Sequence, residues 1–247
     1  MTENKSLSSE TEPVSIQYRF TMPNAMLEEF HVVLDPLTLV FAGDPPPNPP
    51  EWAGLSFHKC ANCPFSEKEE KYCSVALNLT DIVRRFEQLT SHDEVFVEVI
   101  TEERIFYKKT SAQRGISSLM GLMIAGSKCP MTDFFKPMAR FHLPFSTADE
   151  TIWRAASTWL VSRYFLQKQS QSADFDLQGL NRIYSNIQKL NISVARRLRA
   201  ACEEDSTVNA IIILDVFAKS LPTVIEKSLE KIRPAFEPIL RNNYADL

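Results

Sequence analysis

Val95-Phe96-Val97-Glu98-Val99-Ile100-Thr101-Glu102-Glu103-Arg104-Ile105-Phe106-Tyr107, followed at once by Lys108-Lys109-Thr110-Ser111-Ala112-Gln113, marks the change of architecture in this chain. The first part reads as two strands around an acidic turn. The second has the form of a capping box, and Ile116, Leu119, Met120 and Met123 continue from it at helical spacing until Gly126 can stop them. Upstream, Ser15–Phe20 alternates polar and apolar, and Phe30–Leu34 and Leu37–Phe41 flank Asp35-Pro36. The hairpin therefore extends an antiparallel meander to a sheet of about five strands.

Downstream the chain reads as helical. Thr147-Ala148-Asp149-Glu150 offers a second capping box for a helix through Trp153, Trp159, Tyr164 and Phe165. After a Gln/Ser loop at 167–172, Leu180, Ile183, Ile187, Leu190, Val194, Leu198 and Ala201 trace one apolar stripe. Two shorter helices, Thr207–Lys219 and Pro222–Ile232, complete the reading. The expected class is α+β, with a small antiparallel sheet, a cysteine-rich metal-tied helical region and a helical C-terminal half. The expected organisation is a disordered tail over 1–13, an α+β domain over 14–145 with a proline-rich spacer at 44–50, and a helical region over 146–247 packed on it.

The composition excludes several classes. With 27 basic and 31 acidic residues the net charge is −4, which provides no global field for nucleic acid or an anionic membrane. The tail lacks the basic and apolar regions of a secretory signal. The longest apolar run, Ala210–Leu214, is far short of the ~20 residues of a membrane span. A soluble, cytoplasmic protein is expected. No dinucleotide fingerprint, Walker loop, zincin helix or nucleophile elbow occurs.

The cysteines carry the strongest chemical signal. Cys60, Cys63, Cys73 and Cys129 stand in the order C-x2-C-x9-C-x55-C, and in a reducing compartment such a set points to metal rather than to disulfides. Cys73 precedes the helix traced by Val75, Leu79, Ile82, Val83 and Phe86, and Cys129 precedes Pro130. At helix N-termini the free N–H groups and the dipole favour thiolates. A closed tetrahedral zinc site is expected, with His58 as the alternative ligand and a [4Fe-4S] cluster as the alternative cofactor. The competing reading is four small buried groups with a chance C-x-x-C, and a thioredoxin-like dithiol is disfavoured by the proline spacer before the pair. Cys202 is taken as a bystander.

Arg140 and His142, held between aromatics and prolines in Ala139-Arg140-Phe141-His142-Leu143-Pro144-Phe145, form a candidate functional pair; the alternative is a buried, hydrogen-bonded histidine. Arg182, Lys189 and Arg196, beside Arg197 and Arg199, read as a solvated helix face. Together, Cys60-Ala61-Asn62-Cys63-Pro64, Cys73–Leu79, Gly115–Leu122, Cys129-Pro130 and the Arg-Phe-His-Leu-Pro-Phe run at 140–145 resemble a family of uncharacterised bacterial proteins, over about Tyr18 to Phe165. The resemblance implies a bacterial cytosolic setting and treats the four cysteines as one unit.

The functional expectation is a zinc-stabilised binding or regulatory module that contacts protein partners through its helices. The alternatives are an iron–sulfur redox or oxidant-sensing protein, and an enzyme using Arg140 and His142.

Overall fold

A computed structural model of the chain describes residues 12–202 and 204–242. Residues 1–11 of the expected tail, Glu203 of the acidic run and residues 243–247 lie outside these. The sheet has four strands, β1 (Val14–Thr21), β2 (Leu27–Leu34), β3 (Glu94–Ile100) and β4 (Ile105–Ser111), in the antiparallel order β2-β1-β3-β4. Alternation puts Ile16, Tyr18 and Phe20 on one face with Phe30, Val32 and Leu34 of β2 and Val95, Val97 and Val99 of β3, all buried.

The expected fifth strand does not form. Leu37–Phe41 makes a single bridge, Leu34 to Phe41, because Asp35 closes a tight turn. Its carboxylate accepts from the Leu37 and Thr38 amides (3.1 and 2.6 Å) and the Thr38 hydroxyl (2.7 Å), and Leu39 takes a positive φ of 57°. Those bonds hold the Asp35 carboxyl below its ordinary range.

Helix α1 (Ser74–Arg85) begins behind Cys73 and buries Val75, Leu79, Ile82 and Val83. Arg85 at its end pairs with Glu28 of β2 (3.1 Å) and lies over the Phe30 ring. Helix α2 (Ala112–Ala125) starts where expected, but Ser111 makes no capping bond. The first amides are instead taken by the loop before β3, Ala112 donating to the Asp93 carbonyl (2.7 Å) and Gln113 to that of Ser91 (3.2 Å). A Cβ at Gly115 would meet Phe20 and Val97 at 3.0 Å, so the small residues of α2 admit the sheet.

Cys129-Pro130 opens a 3-10 turn (Pro130–Phe135) that runs into α3 (Lys136–Arg140). Helix α4 (Ala148–Lys168) is capped by both bonds of the Thr147/Glu150 box. Helix α5 (Gln178–Ala201) carries the long apolar stripe. The two expected C-terminal helices are one, α6 (Ser206–Ile232), before a short α7 (Glu237–Asn242). Buried Ile211, Ala218 and Ile225 recur every seven residues along α6, so one continuous face is packed on both sides of Pro222 and outweighs its lost hydrogen bond.

One buried cluster runs from Val14 through Leu119 and Leu190 to Ile225, joining the sheet to the helical layer. Each large apolar side chain buried there contributes roughly 1.5–3 kcal/mol. Among the described residues no helix is long and apolar enough to cross a membrane.

Candidate functional site

The polypeptide between Ala53, at the end of a short 3-10 turn (Glu51–Ala53), and Cys73 is a loop closed at its neck. Leu55 donates to the Lys71 carbonyl (3.0 Å) and Cys73 to that of Ala53 (2.9 Å), around the bridge from Gly54 to Tyr72. Cys60 and Cys63 sit in a turn of this loop, the Cys63 amide donating to the Cys60 carbonyl (3.1 Å). With Cys73 and Cys129 they border one cavity of about 1000 Å³ beside the proline spacer.

The expected metal site is overturned at this point. Among the described residues no group of three or more His, Cys, Asp or Glu side chains is placed to hold a metal ion. Cys60, Cys73 and Cys129 pack against the core as small, half-buried apolar groups. Burial raises the Cys60 thiol, and it pushes that of Cys129 up to about 12, so desolvation outweighs whatever the helix start offers a thiolate. His58, the alternative ligand, is exposed, does not border the cavity, and stands edge-on against Phe57. All five cysteines are unpaired.

What fastens the loop is Arg197. Its Nη1 donates to the carbonyls of Trp52 (2.6 Å) and Gly54 (2.7 Å) and its Nη2 to that of Leu55 (3.2 Å). Ser193, one turn earlier on α5, donates to the His58 carbonyl, and Asn62 returns a bond to the Asn186 carbonyl (3.3 Å). Arg197 is 1% exposed, and the titratable groups beside it are the Cys73, Cys60 and Cys63 thiols rather than a carboxylate. Burial lowers its pKa. Read from the sequence as part of a solvated face, Arg197 occupies the next position of the stripe after Leu190 and Val194; Arg182, Lys189 and Arg196 are indeed exposed.

A second cavity, of about 670 Å³, lies in the helical layer where α2, α5 and α6 meet the loop after α3. Its walls include Leu122, Ile187 and Phe217; Lys108, Arg114 and Arg154 contribute cations, and among the described residues no Asp or Glu lines it. Lys108 arrives there because its neighbour in register is Val97, on the core face of the sheet.

Arg154 anchors through one nitrogen, Nη2, which donates to the carbonyls of Met138 and Phe141. Tyr184, 2% exposed, meets Phe135 and Phe217 edge-to-face, and its hydroxyl has no partner among the described residues. Asn191, 3% exposed and one heptad further along α5, lines the same space. Burial raises the Tyr184 phenol, partly offset by the Arg154 charge, and lowers the Arg154 guanidinium, partly offset by Tyr184 and by the Glu150 carboxylate.

His142 also faces this cavity. Its Nε2 is 2.6 Å from the Tyr18 hydroxyl, which is 2.8 Å from Ser118 Oγ, and Ser118 accepts from the Phe145 amide (3.2 Å). Burial, with the Arg154 charge beyond it, lowers His142 to about 3, and burial raises the Tyr18 phenol. Both groups are therefore neutral near pH 7, and the chain of hydrogen bonds fixes the loop instead of moving protons. Arg140 is not brought to His142; it is exposed and lies over the Phe141 ring, 5.6 Å from its centre. Arg154, Tyr184 and Asn191 were not singled out from sequence. The available signal was a polar residue, Asn191, standing one heptad from Tyr184 on the buried side of α5.

The family model for a domain of unknown function, DUF6901, matches residues 16–237, and the chain belongs to that family. No curated protein and no solved structure matches it.

Proposed function

We propose that this member of the DUF6901 family is a small-molecule-binding protein whose ligand lodges between α2, α5 and α6. The observation that carries this reading is the unpartnered, buried hydroxyl of Tyr184 on the wall of a cavity of about 670 Å³. A buried phenol without a hydrogen bond costs about 1–3 kcal/mol, and a ligand that supplies the bond recovers it. The volume lies within the range of small-molecule sites, as does a mostly apolar wall with a few convergent polar groups. A cytoplasmic, bacterial setting is supported by five cysteines without a disulfide and by the sequence resemblance.

The neutral, polarity-sensitive dye Nile red tests the cavity itself. Saturable binding at one site is expected, abolished in a folded Leu143→Trp variant that fills the space from the loop. Binding that survives the plug would locate the dye elsewhere and remove the reading.

A further inference from the structure

We infer that the ligand is an amphipathic organic anion, its anionic head received by Arg154 and Tyr184 and its apolar body by Leu122, Ile187 and Phe217. This rests on the reading above and adds the chemical class.

The first argument is charge. Three cations, Lys108, Arg114 and Arg154, border the cavity, and among the described residues none makes an ion pair and no carboxylate shares the lining. Lys108 and Arg114 are exposed, whereas Arg154 is half-buried and feels the Glu150 carboxylate only through space from outside the lining; a bound anion would place a counter-charge inside the cavity.

The second argument is geometry. Arg154 uses only Nη2 on protein carbonyls, so Nε and Nη1 carry no hydrogen bond among the described residues. The two carbonyl bonds hold the guanidinium plane, as a receptor for a planar carboxylate requires. Tyr184 supplies a hydroxyl that is already desolvated and unspent. The third argument is the remainder of the wall. Leu122, Ile187 and Phe217 form the apolar part of the lining, and the neutral His142 is held by Tyr18. An anionic head on an apolar body matches both halves of this lining.

Displacement of Nile red from the full chain by decanoate, decanol and decylamine separates the outcomes, because the three share a tail and differ only in the head. Decanoate is expected to bind at least tenfold more tightly than decanol, with decylamine weakest. The preference should fall about tenfold in Arg154→Gln. Because that change also removes two carbonyl bonds, Tyr184→Phe serves as the second variant and should lower decanoate affinity severalfold, more than that of decanol. Equal displacement by decanoate and decanol, or preference for decylamine, would overturn the anion assignment while leaving the cavity reading intact. Failure of all three to displace a dye that the Leu143→Trp plug excludes would overturn the assignment of an amphipathic alkyl anion. Failure of the dye itself to bind would fall on the cavity reading.

Discussion

Arg197 on α5 and Arg154 on α4 are both drawn out of water without a carboxylate partner, and their surroundings resolve the same electrostatic problem in different ways. Arg197 spends three N–H groups on the carbonyls of Trp52, Gly54 and Leu55, which belong to a loop that lacks its own regular structure. Arg154 spends one nitrogen on two carbonyls and stands beside a phenol with no partner. A buried cation that spends both terminal nitrogens on backbone carbonyls, with only its Nε unpaired, is a fastening; one that leaves a terminal nitrogen unspent, beside an unspent hydroxyl in a cavity, is a receptor. The comparison explains why the cavity bordered by four thiols is the structural one and the smaller, carboxylate-free cavity is the candidate site.

The largest effect should come from breaking the fastening. Arg197→Met leaves the Trp52 and Leu55 carbonyls unpaired, takes one of two bonds from the Gly54 carbonyl, and should cost roughly 3 kcal/mol in urea unfolding. A loss below about 1 kcal/mol would show that the neck holds without it.

Next is acid sensitivity on the receptor side. The folded His142 pKa, about 3, lies below its unfolded value, so the unfolded chain takes up a proton first as pH falls. Stability from this group is complete above about pH 6.5 and declines as pH drops toward 3, by roughly 2 kcal/mol between pH 6.5 and 5. His142→Gln should flatten that part of the profile, and an unchanged slope would assign the acid sensitivity to other groups.

Tyr184→Phe should raise the stability of the ligand-free protein by about 1 kcal/mol, since the change removes an unsatisfied hydroxyl and keeps the ring contacts. Destabilisation would mean that the hydroxyl already has a partner. The smallest effect is expected on the thiol side. Cys129→Ala should cost roughly 1 kcal/mol of packing, and a metal chelator should leave the thermal midpoint unchanged. A midpoint that falls on chelation would reverse the correction made to the cysteine cluster.

Some of this was legible in the residues. The alternation of Ser15–Phe20 and Val95–Ile100, the Thr147/Glu150 box and the α5 stripe correspond to β1, β3, the α4 cap and α5, because each signal is local and tertiary packing agrees with it. Cys73 and Cys129 do precede helical turns. Where local signals misled, a distant contact had replaced them. The capping box read over Thr110–Gln113 was displaced by the Ser91 and Asp93 carbonyls, and the break before Pro222 by a continuous packed face.

The sequence by itself determined the class of fold, since periods of two and of about 3.6 residues specify which side of each segment leaves water. It also brought four thiols toward a common cavity, without specifying what they would do there. Only the tertiary structure decided which polar groups end buried and whether their bonds are spent. That balance depends on atoms far apart along the chain, such as Arg197 and Trp52 or Tyr18 and His142, and spacing along a single segment carries no record of it.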